Sequence, residues 1–331
     1  MGRSLSFYQD WLVHEQPEDP WWDPVDFSVE LSRVPPASLV GGWYDVFLPA
    51  QIADFVALRA AGRQARLTSD PGPTPAWRAR APNCGTGSTG SSGSTSIYRG
   101  GARPGPIPGC ASSSRVSGGG STWTAGRLPP PPSDGISTAT GVWPARSRAP
   151  SDPDRFRYDP AEPTPGLGGP SLNWRTSGPR DQAVREQRPD VLTYTSDSLT
   201  RDLTVAGPLD AEIWFRSSAP STDVFVRLCD VDGDGLSTNV SDGILRVLPG
   251  EGERDHDGTI RVRVSMWPTA TTFVAGHRLR LQVSSGAHPL FARNPGSDQR
   301  LGSATTLVVA DQTILHDPGH PSAIELPVST I

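Results

Sequence analysis

Residues 204–218, TVAGPLDAEIWFRSS, decide the fold, because apolar and polar residues alternate along most of this stretch. An alternation of period two is typical of a β-strand that buries one face and exposes the other. Four further stretches repeat the pattern with turn residues between them: TDVFVRLCDV (222–231), TIRVRVSMW (259–267), HRLRLQVSS (277–285) and ATTLVVA (304–310). We therefore predict that residues 151–331 form an all-β domain, an antiparallel sandwich or jelly roll.

Residues 1–68 carry a mixed pattern. The run ASLVGGW (37–43) is short, apolar and bounded by glycines, which suits the end of a buried strand. The stretch PAQIADFVALRAAG (49–62) predicts a helix that begins at Pro49 and ends before Gly62. Four apolar residues are expected near one face of this helix: Ile52, Phe55, Val56 and Leu58. A strand, a turn and a helix in this order predict an α/β unit.

Residues 69–150 show no periodicity and hold much of the Gly, Ser and Pro of the chain. Between residues 71 and 150 there is one acidic residue, Asp134, against eight Arg. A disordered linker is one interpretation of this composition. A non-native segment is the other, because aromatic residues are scattered through it without a pattern: Trp77, Tyr98, Trp123 and Trp143.

Composition limits the classes of protein to consider. A chain of 331 residues is long enough for two domains with hydrophobic cores, and its formal net charge of −5 gives no sign of a nucleic-acid partner. No window approaches the roughly 18 apolar residues of a membrane span, and the first residues lack an apolar leader core. The cysteines have neither metal-binding nor redox spacing, as expected for reduced thiols in the cytosol: Cys84, Cys110 and Cys229. We expect a cytoplasmic protein without a membrane partner, and the oligomeric state stays open.

Seven motifs at the two ends of the chain form a set. They are DPWWDP (19–24), GGWYDVFLPAQ (41–51), FRYDPAEPTPGLGGPSL (156–172), LTYTSDSL (192–199), DLTVAGPLDAEIWFRSSAPSTDVFVRLCDV (202–231), GHRLRLQVSSGAHPLFARN (276–294) and HDPGHPSAIELPV (316–328). The set resembles the cocaine esterase and X-Pro dipeptidyl-peptidase family of serine hydrolases. This resemblance implies an α/β-hydrolase domain, of which residues 1–68 are the C-terminal remnant, followed by a jelly-roll sandwich of galactose-binding type.

The resemblance also implies a Ser-His-Asp triad that hydrolyses an ester or amide bond of a small-molecule substrate without a metal or organic cofactor. Asp45, in the motif GWYD, matches the triad Asp of the family. The sequence contains no G-x-S-x-G nucleophile elbow, and SDPGPT (69–74) stands where the family has GPWTH, the motif of the triad His. We therefore expect the chain to begin after the elbow and to be inactive alone. From the residues alone, Asp45 has a second interpretation, as a cap of the following helix.

A change of reading frame accounts both for the missing His and for the unusual middle. If one nucleotide has been lost after Thr68, each codon of the original reading frame consists of the third base of one present codon and the first two bases of the next codon. Residues 69–74 then permit Gly-Pro-Trp-Thr-His, and residues 83–93 permit the amphipathic sequence LRDWLDWLVR. The hypothesis is that residues 69–150 are a frame-shifted translation, restored shortly before DPDRFRYDP (152–160). A genuine linker is the alternative.

Two motifs have the spacing of metal ligands, but both favour a turn. His316 and His320 are four residues apart, and Pro318 and Gly319 between them exclude the helix that would bring them together. The sequence DVDGDG (230–235) begins like a calcium loop, but Ser241 occupies the twelfth position, where such a loop needs Glu.

Two functions other than hydrolysis by this chain alone are consistent with the sequence. The first is a non-catalytic β-sandwich module that binds or interacts with another molecule. The second is a chain that complements a separate polypeptide carrying the nucleophilic Ser.

Overall fold

The computed structural model describes residues 6–14, 19–26, 28–70, 122–123, 152–173, 175–252, 254–299 and 303–328. The predicted segment 69–150 therefore lies outside the described residues, apart from 69–70 and 122–123. The N-terminal elements are helix α1 (Ser6–Val13), two 3-10 helices (Pro20–Val25 and Ser28–Arg33), strand β1 (Ala37–Gly42), helix α2 (Leu48–Ala60) and strand β2 (Ala65–Asp70). A two-residue strand, β3 (Thr122–Trp123), pairs with β2 in the antiparallel direction.

Strands β1 and β2 form a parallel pair connected by α2. The register runs to Gly42 opposite Asp70, so both strands end at the same edge of the sheet. The prediction of a strand, a turn and a helix is confirmed, and Gly62 just beyond the helix has the left-handed φ of 72° that favours glycine. The larger α/β-hydrolase fold stays a prediction.

One detail of helix α2 differs from the expectation. Its buried side chains are Leu48, Phe55 and Leu58. Val56 was expected near the same face but is 47% exposed. Phe55 is buried, and successive residues of a helix point about 100° apart, so Val56 points toward solvent.

The C-terminal part is an all-β domain with one short helix, which confirms the predicted class. Its elements are β4 (Asp154–Tyr158), α3 (Ala183–Glu186), β5 (Leu192–Thr195), β6 (Leu203–Ser217), β7 (Thr222–Val231), β8 (Ser237–Val247), β9 (Ile260–Phe273), β10 (Arg278–Ser284), β11 (Ala310–Leu315) and β12 (Ala323–Glu325). The strand order is β4-β11-β6-β9-β8-β7-β10-β5, with β12 beside β6. The strands nearly close into a barrel, because the hydroxyl of Tyr194 on β5 donates to Asp154 Oδ2 on β4 at 2.7 Å. The galactose-binding type of jelly roll stays a prediction.

Between β8 and β9 the ladder is short. In the described part of the chain one residue pair, Gly243 and Met266, joins the two strands. A Cβ atom at Gly243 would lie 2.6 Å from the carbonyl oxygen of Ser265, so only glycine fits this approach without movement. The sheet therefore bends here, which places β6 and β9 on one side of the core and β7 and β10 on the other.

The core follows the period-two pattern of the sequence. Its inward side chains alternate along four strands: Leu209, Ala211, Ile213 and Phe215 on β6; Val224, Val226 and Leu228 on β7; Ile260, Val262, Val264 and Met266 on β9; Leu279, Leu281 and Val283 on β10. Burying one large apolar side chain of this kind stabilises a fold by about 1.5–3 kcal/mol.

Strand β7 departs from the expectation of one wet face. Phe225, Arg227 and Cys229, which point away from the core, are 0% exposed. The segment around α3 covers this face: the amide of Gln182 donates to the carbonyl oxygen of Ser237 at 2.8 Å. The sequence prediction was therefore wrong for β7, because both faces of this strand are buried.

Candidate functional site

The predicted site residue Asp45 lies in a tight turn between β1 and α2. We refer to residues 43–47 as the Asp45 turn. The amide of Asp45 donates to the carbonyl oxygen of Gly42 at 3.0 Å, and the amide of Leu48 donates to the carbonyl oxygen of Asp45 at 3.1 Å. The side chain takes part as well, since Asp45 Oδ1 accepts a hydrogen bond from the amide of Phe47 at 3.0 Å. Phe47 is the N-cap of α2, so the carboxylate bonds the residue that opens the helix.

A glycine brings the helix close to the end of the strand. A Cβ atom at Gly41 would lie 2.2 Å from Gln51 Oε1, so a larger residue would displace the end of the Gln51 side chain. The amide group of Gln51 instead donates to the carbonyl oxygen of Val40 at 3.3 Å. The start of α2 is therefore held against the carboxyl end of β1, where Asp45 follows.

The edge of the sheet beside Asp45 is also where the chain leaves β2. Gly42 and Asp70 are paired at the end of the parallel ladder. In α/β proteins this edge, at the carboxyl ends of parallel strands, is where ligands and catalytic groups gather. Asp45 thus lies just beyond the edge of the sheet at which Asp70 ends β2.

Four of the described histidines bond aspartates other than Asp45. The shortest distances are 2.7 Å for His14 with Asp19, 2.9 Å for His277 with Asp230, 3.0 Å for His316 with Asp154 and 3.0 Å for His320 with Asp317. His316 and His320 therefore bond two different aspartates, Asp154 and Asp317.

We refer to the C-terminal all-β domain, β4–β12, as the sandwich. Two side chains connect the Asp45 turn to this domain. The hydroxyl of Tyr44 donates to the carbonyl oxygen of Asn239 on β8 at 3.1 Å. The indole Nε1 of Trp267 on β9 donates to the carbonyl oxygen of Asp45 at 3.2 Å. Burial raises the pKa of Tyr44, and nearby Asp242 raises it further, so the hydroxyl stays a donor at neutral pH.

A buried polar network lies beneath the Tyr44 contact. The side chain of Asn239 accepts from the amide of Arg180 at 2.7 Å and from Gln182 Nε2 at 3.1 Å. Gln182 in turn accepts through Oε1 from Arg227. Arg227 forms a bidentate pair with Asp242, at 2.6 Å for Nε with Oδ1 and 2.8 Å for Nη2 with Oδ2. The network thus runs from the Asp45 turn to an ion pair inside the domain.

The ion pair itself is fully enclosed. The side chains of Arg227 and Asp242 are both 0% exposed. Burial alone would lower the pKa of Arg227, but Asp242 more than offsets that effect, so the pKa is raised above its ordinary value. Gly169, with a left-handed φ of 84°, crosses over the pair, and a Cβ atom there would lie 2.1 Å from Asp242 Oδ2.

A second buried arginine ties the same covering segment to β10. Arg185 Nε donates to Gln282 Oε1 at 2.9 Å, and Arg185 Nη2 donates to Ser284 Oγ at 2.6 Å. Its guanidinium also lies 4.8 Å from the ring centroid of Phe225. Burial, together with the charge of Arg227, lowers the pKa of Arg185, although a guanidinium remains protonated at neutral pH.

Sequence reasoning missed these buried charged groups. Their signal is a charged or amide side chain at a position opposite the core residues, as with Arg227 in β7 and Gln282 in β10. Such positions look solvent-facing when a strand is considered alone. These positions become interior only because the segment around α3, which includes Leu167 and Gln182, covers them. This covering segment is distant in sequence, since the bond from Arg227 to Gln182 spans 45 residues.

The predicted turn in DVDGDG is confirmed. Asp232 Oδ1 accepts from the amides of Asp234 and Leu236, both at 2.9 Å, and this closes the hairpin between β7 and β8. In the part of the chain that the structure describes, no group of three or more His, Cys, Asp or Glu side chains is arranged to hold a metal ion. None of the described helices combines the length and the apolar character that crossing a membrane requires.

Comparison with known proteins identifies the class. The sequence pattern of the X-Pro dipeptidyl-peptidase C-terminal non-catalytic domain matches residues 125–325. The chain therefore belongs to the X-Pro dipeptidyl-peptidase and cocaine esterase family of hydrolases, and the resemblance seen in the sequence is confirmed. The matched range begins inside the predicted middle segment, whose boundaries stay a prediction.

Particular relatives include the cocaine esterase of Rhodococcus sp. (strain MB1 Bresler), which is 34% identical over 183 residues. That match covers 53% of this chain and 32% of the relative, so the chain spans less than half of that protein's length. An α-amino acid ester hydrolase structure is 27% identical with a TM-score of 0.48, covering 54% of this chain and 33% of that one. An aminopeptidase from a marine sediment Thaumarchaeota archaeon is 24% identical with a TM-score of 0.48, covering 56% and 34%.

Proposed function

We propose that this chain contributes the acidic member of a Ser-His-Asp triad to a serine hydrolase of the X-Pro dipeptidyl-peptidase and cocaine esterase type. The substrate would be a small molecule with an ester or amide bond, and the reaction needs no metal or organic cofactor. The observation that carries the proposal is the position of Asp45. It follows the carboxyl end of β1, beside the end of β2, and its turn rests on the family's sandwich domain.

In this proposal Asp45 orients a histidine. A triad carboxylate accepts the Nδ1–H of the imidazole, which fixes the tautomer and leaves Nε2 free to take a proton. The serine oxygen then attacks the carbonyl carbon while its proton passes to Nε2, and the same proton later goes to the leaving alcohol or amine. A histidine three or four residues beyond Asp70 would begin from the edge where Asp45 lies, as the frame-restored GPWTH requires.

The chain as written is expected to be inactive, because neither the nucleophile elbow nor GPWTH is in its sequence. Sequencing the encoding DNA through codon 155 tests the frame hypothesis, since one restored base after Thr68 returns GPWTH. Peptide mass mapping of residues 69–150 gives an independent test on the protein. Printed-frame peptides would refute an error in the DNA sequence and leave either a shift in the gene itself or a linker.

Catalysis has its own test. The printed chain should take no label from a fluorophosphonate, which reacts with activated serines, and should not hydrolyse p-nitrophenyl acetate. A complete protein carrying the elbow and GPWTH should do both. Asp45→Asn in that protein should lower kcat by about 10³–10⁴, as expected for loss of the orienting carboxylate. Full activity of the Asn variant would refute the role of Asp45.

A second candidate is a non-catalytic binding module. The observation that favours it is the family match itself, which falls on a domain described as non-catalytic. A saturable small-molecule ligand that binds the full chain and its Asp45→Asn variant equally would support this function.

Cytoplasmic location remains part of the proposal and is testable by fractionation of the source cells.

A further inference from the structure

We propose that the sandwich positions the Asp45 turn for catalysis, with Tyr44 and Trp267 as the positioning residues. The inference rests on the proposed function, because it gives the non-catalytic domain a role in the reaction. Neither residue touches a reacting atom in this account. Each acts through the backbone or the neighbours of Asp45.

Trp267 holds the backbone of Asp45 from the sandwich side. The carbonyl oxygen of Asp45 has two acceptor positions, and it accepts from the amide of Leu48 at 3.1 Å and from Trp267 Nε1 at 3.2 Å. The first bond ties the turn to α2, and the second ties it to β9. The carboxylate is fixed to the same turn by the amide of Phe47, so displacement of the turn displaces the carboxylate.

Trp267 is itself anchored. Ser241 on β8 donates through its hydroxyl to the carbonyl oxygen of Trp267 at 2.6 Å. The ladder pair of Gly243 with Met266 holds the adjacent residue of β9 against β8. The donor that reaches Asp45 therefore comes from a backbone position that two neighbouring contacts fix.

Tyr44 provides the second anchor, one residue before Asp45. Its acceptor, Asn239, is 1% exposed, and the Asn239 side chain is held by Arg180, Gln182 and Gly178. Asn239 also lies beside a register shift in the β7–β8 ladder, where strands commonly redirect their groups. The hydroxyl of Tyr44 thus bonds one of the most constrained residues of the domain.

The two anchors engage different strands and consecutive residues. Tyr44 bonds β8 and the Asp45 carbonyl bonds β9, so the turn is restrained against both sliding and rotation over the sandwich. Catalytic groups must hold their productive geometry to within about 0.5 Å. Two such anchors supply that restraint from a domain that contributes no reacting group.

The test measures amide hydrogen exchange in the full chain. The variants are Trp267→Phe and Tyr44→Phe, alone and together, which remove one donor each and keep an aromatic side chain at each position. Exchange at the amides of Phe47 and Leu48 should speed up about fivefold for one variant and about twentyfold for the pair, as expected for hydrogen bonds of about 1 kcal/mol net. Exchange in β7 should not change.

Matched controls exist in the same chain. Trp214 Nε1 and the hydroxyl of Tyr158 are buried and have no hydrogen-bond partner within the described structure. Trp214→Phe and Tyr158→Phe therefore remove the same groups without removing a bond, and exchange at Phe47 and Leu48 should stay unchanged. Unchanged exchange there in the double anchor variant would overturn the proposal. Equal acceleration in the turn and in β7 would also overturn it, because the two residues would then stabilise only the whole domain.

The exchange assay needs neither the serine nor the histidine, so it reports on positioning even if the proposed hydrolase function fails. In a complete, active protein a second measurement separates positioning from binding. Trp267→Phe should lower kcat about tenfold or more and leave KM within about twofold, because a positioning group acts on the transition state. A raised KM with unchanged kcat would overturn the positioning role while leaving the hydrolase assignment intact.

Discussion

Removing Asp242 should destabilise the sandwich more than any exposed charge substitution. In the Asp242→Ala variant the guanidinium of Arg227 stays buried without its bidentate partner, and both side chains are 0% exposed in the parent. Breaking a buried ion pair in this way costs about 3–5 kcal/mol. The remaining acceptors of Arg227, the carbonyl oxygen of Leu167 and Gln182 Oε1, are neutral and do not replace the lost charge.

Urea unfolding followed by tryptophan fluorescence and far-UV circular dichroism measures this loss. With a slope of about 2 kcal/mol per M, the midpoint should fall by about 1.5–2.5 M. Arg263→Ala is the control: Arg263 bonds Asp210 and Glu325 but is 57% exposed. Exposed pairs of this kind contribute about 0–1 kcal/mol, so its midpoint should fall by less than about 0.5 M.

A double variant separates the missing partner from the missing charge. Arg227→Met with Asp242→Leu removes both charges and should recover at least about half of the loss, because paired replacement of a buried ion pair is often nearly neutral. A midpoint shift below about 0.5 M for Asp242→Ala alone would refute the reasoning. It would mean that Arg227 finds water or another carboxylate once Asp242 is gone.

Three further outcomes are expected. Burial raises the pKa of Cys229 to about 12, so iodoacetamide at pH 8 should leave its peptide unlabelled until urea is added; rapid labelling of the native chain would contradict its buried position. Burial alone would raise the pKa of Asp210, but hydrogen bonds from Arg263 and Ser265 hold this pKa below the usual value of 3.8. The ionised carboxylate of Asp210 therefore contributes its full stabilisation above pH 3.8, and this contribution is lost as the pH falls through the lowered pKa. Asp210→Asn should therefore flatten the fall in urea midpoint between about pH 5 and 2, and parallel profiles would argue against this. Limited proteolysis should leave a resistant fragment that begins near Arg155, because β4 pairs with β11. Early cleavage throughout residues 175–252 would contradict an independently stable domain.

The sequence was sufficient for the parts of the fold that depend on local patterns. Alternation in residues 204–218 and 259–267 predicted strands β6 and β9 with the inward residues that the structure has. The strand, turn and helix of residues 37–62 followed from a glycine-bounded apolar run and from Pro49 and Gly62 at the helix ends. These signals lie within a dozen residues of the elements they specify, so no tertiary information was needed.

The remainder depended on contacts between distant parts of the chain. The Tyr44 bond to Asn239 spans 195 residues and the Trp267 bond to Asp45 spans 222. Val56 failed as a predicted inward residue for a simpler reason, since periodicity allows two adjacent apolar residues near one face and only packing chooses between them. For the candidate site, motif resemblance supplied Asp45, and Tyr44 lies in the same motif, whereas Trp267, which holds the turn from β9, lies outside the seven motifs.

The buried ion pair is better explained by specificity than by stability. Apolar residues of similar volume would give a comparable free energy of unfolding, so stability alone does not account for two enclosed charges. The pair, however, makes specific contacts with the covering segment. Arg227 reaches the carbonyl oxygen of Leu167 and the side chain of Gln182, and Asp242 tolerates only glycine at position 169. Gln182 then sets the side chain of Asn239, the residue that receives Tyr44. The charges therefore connect the segment to β7 and β8, and through Gln182 and Asn239 they are connected to the turn that carries Asp45.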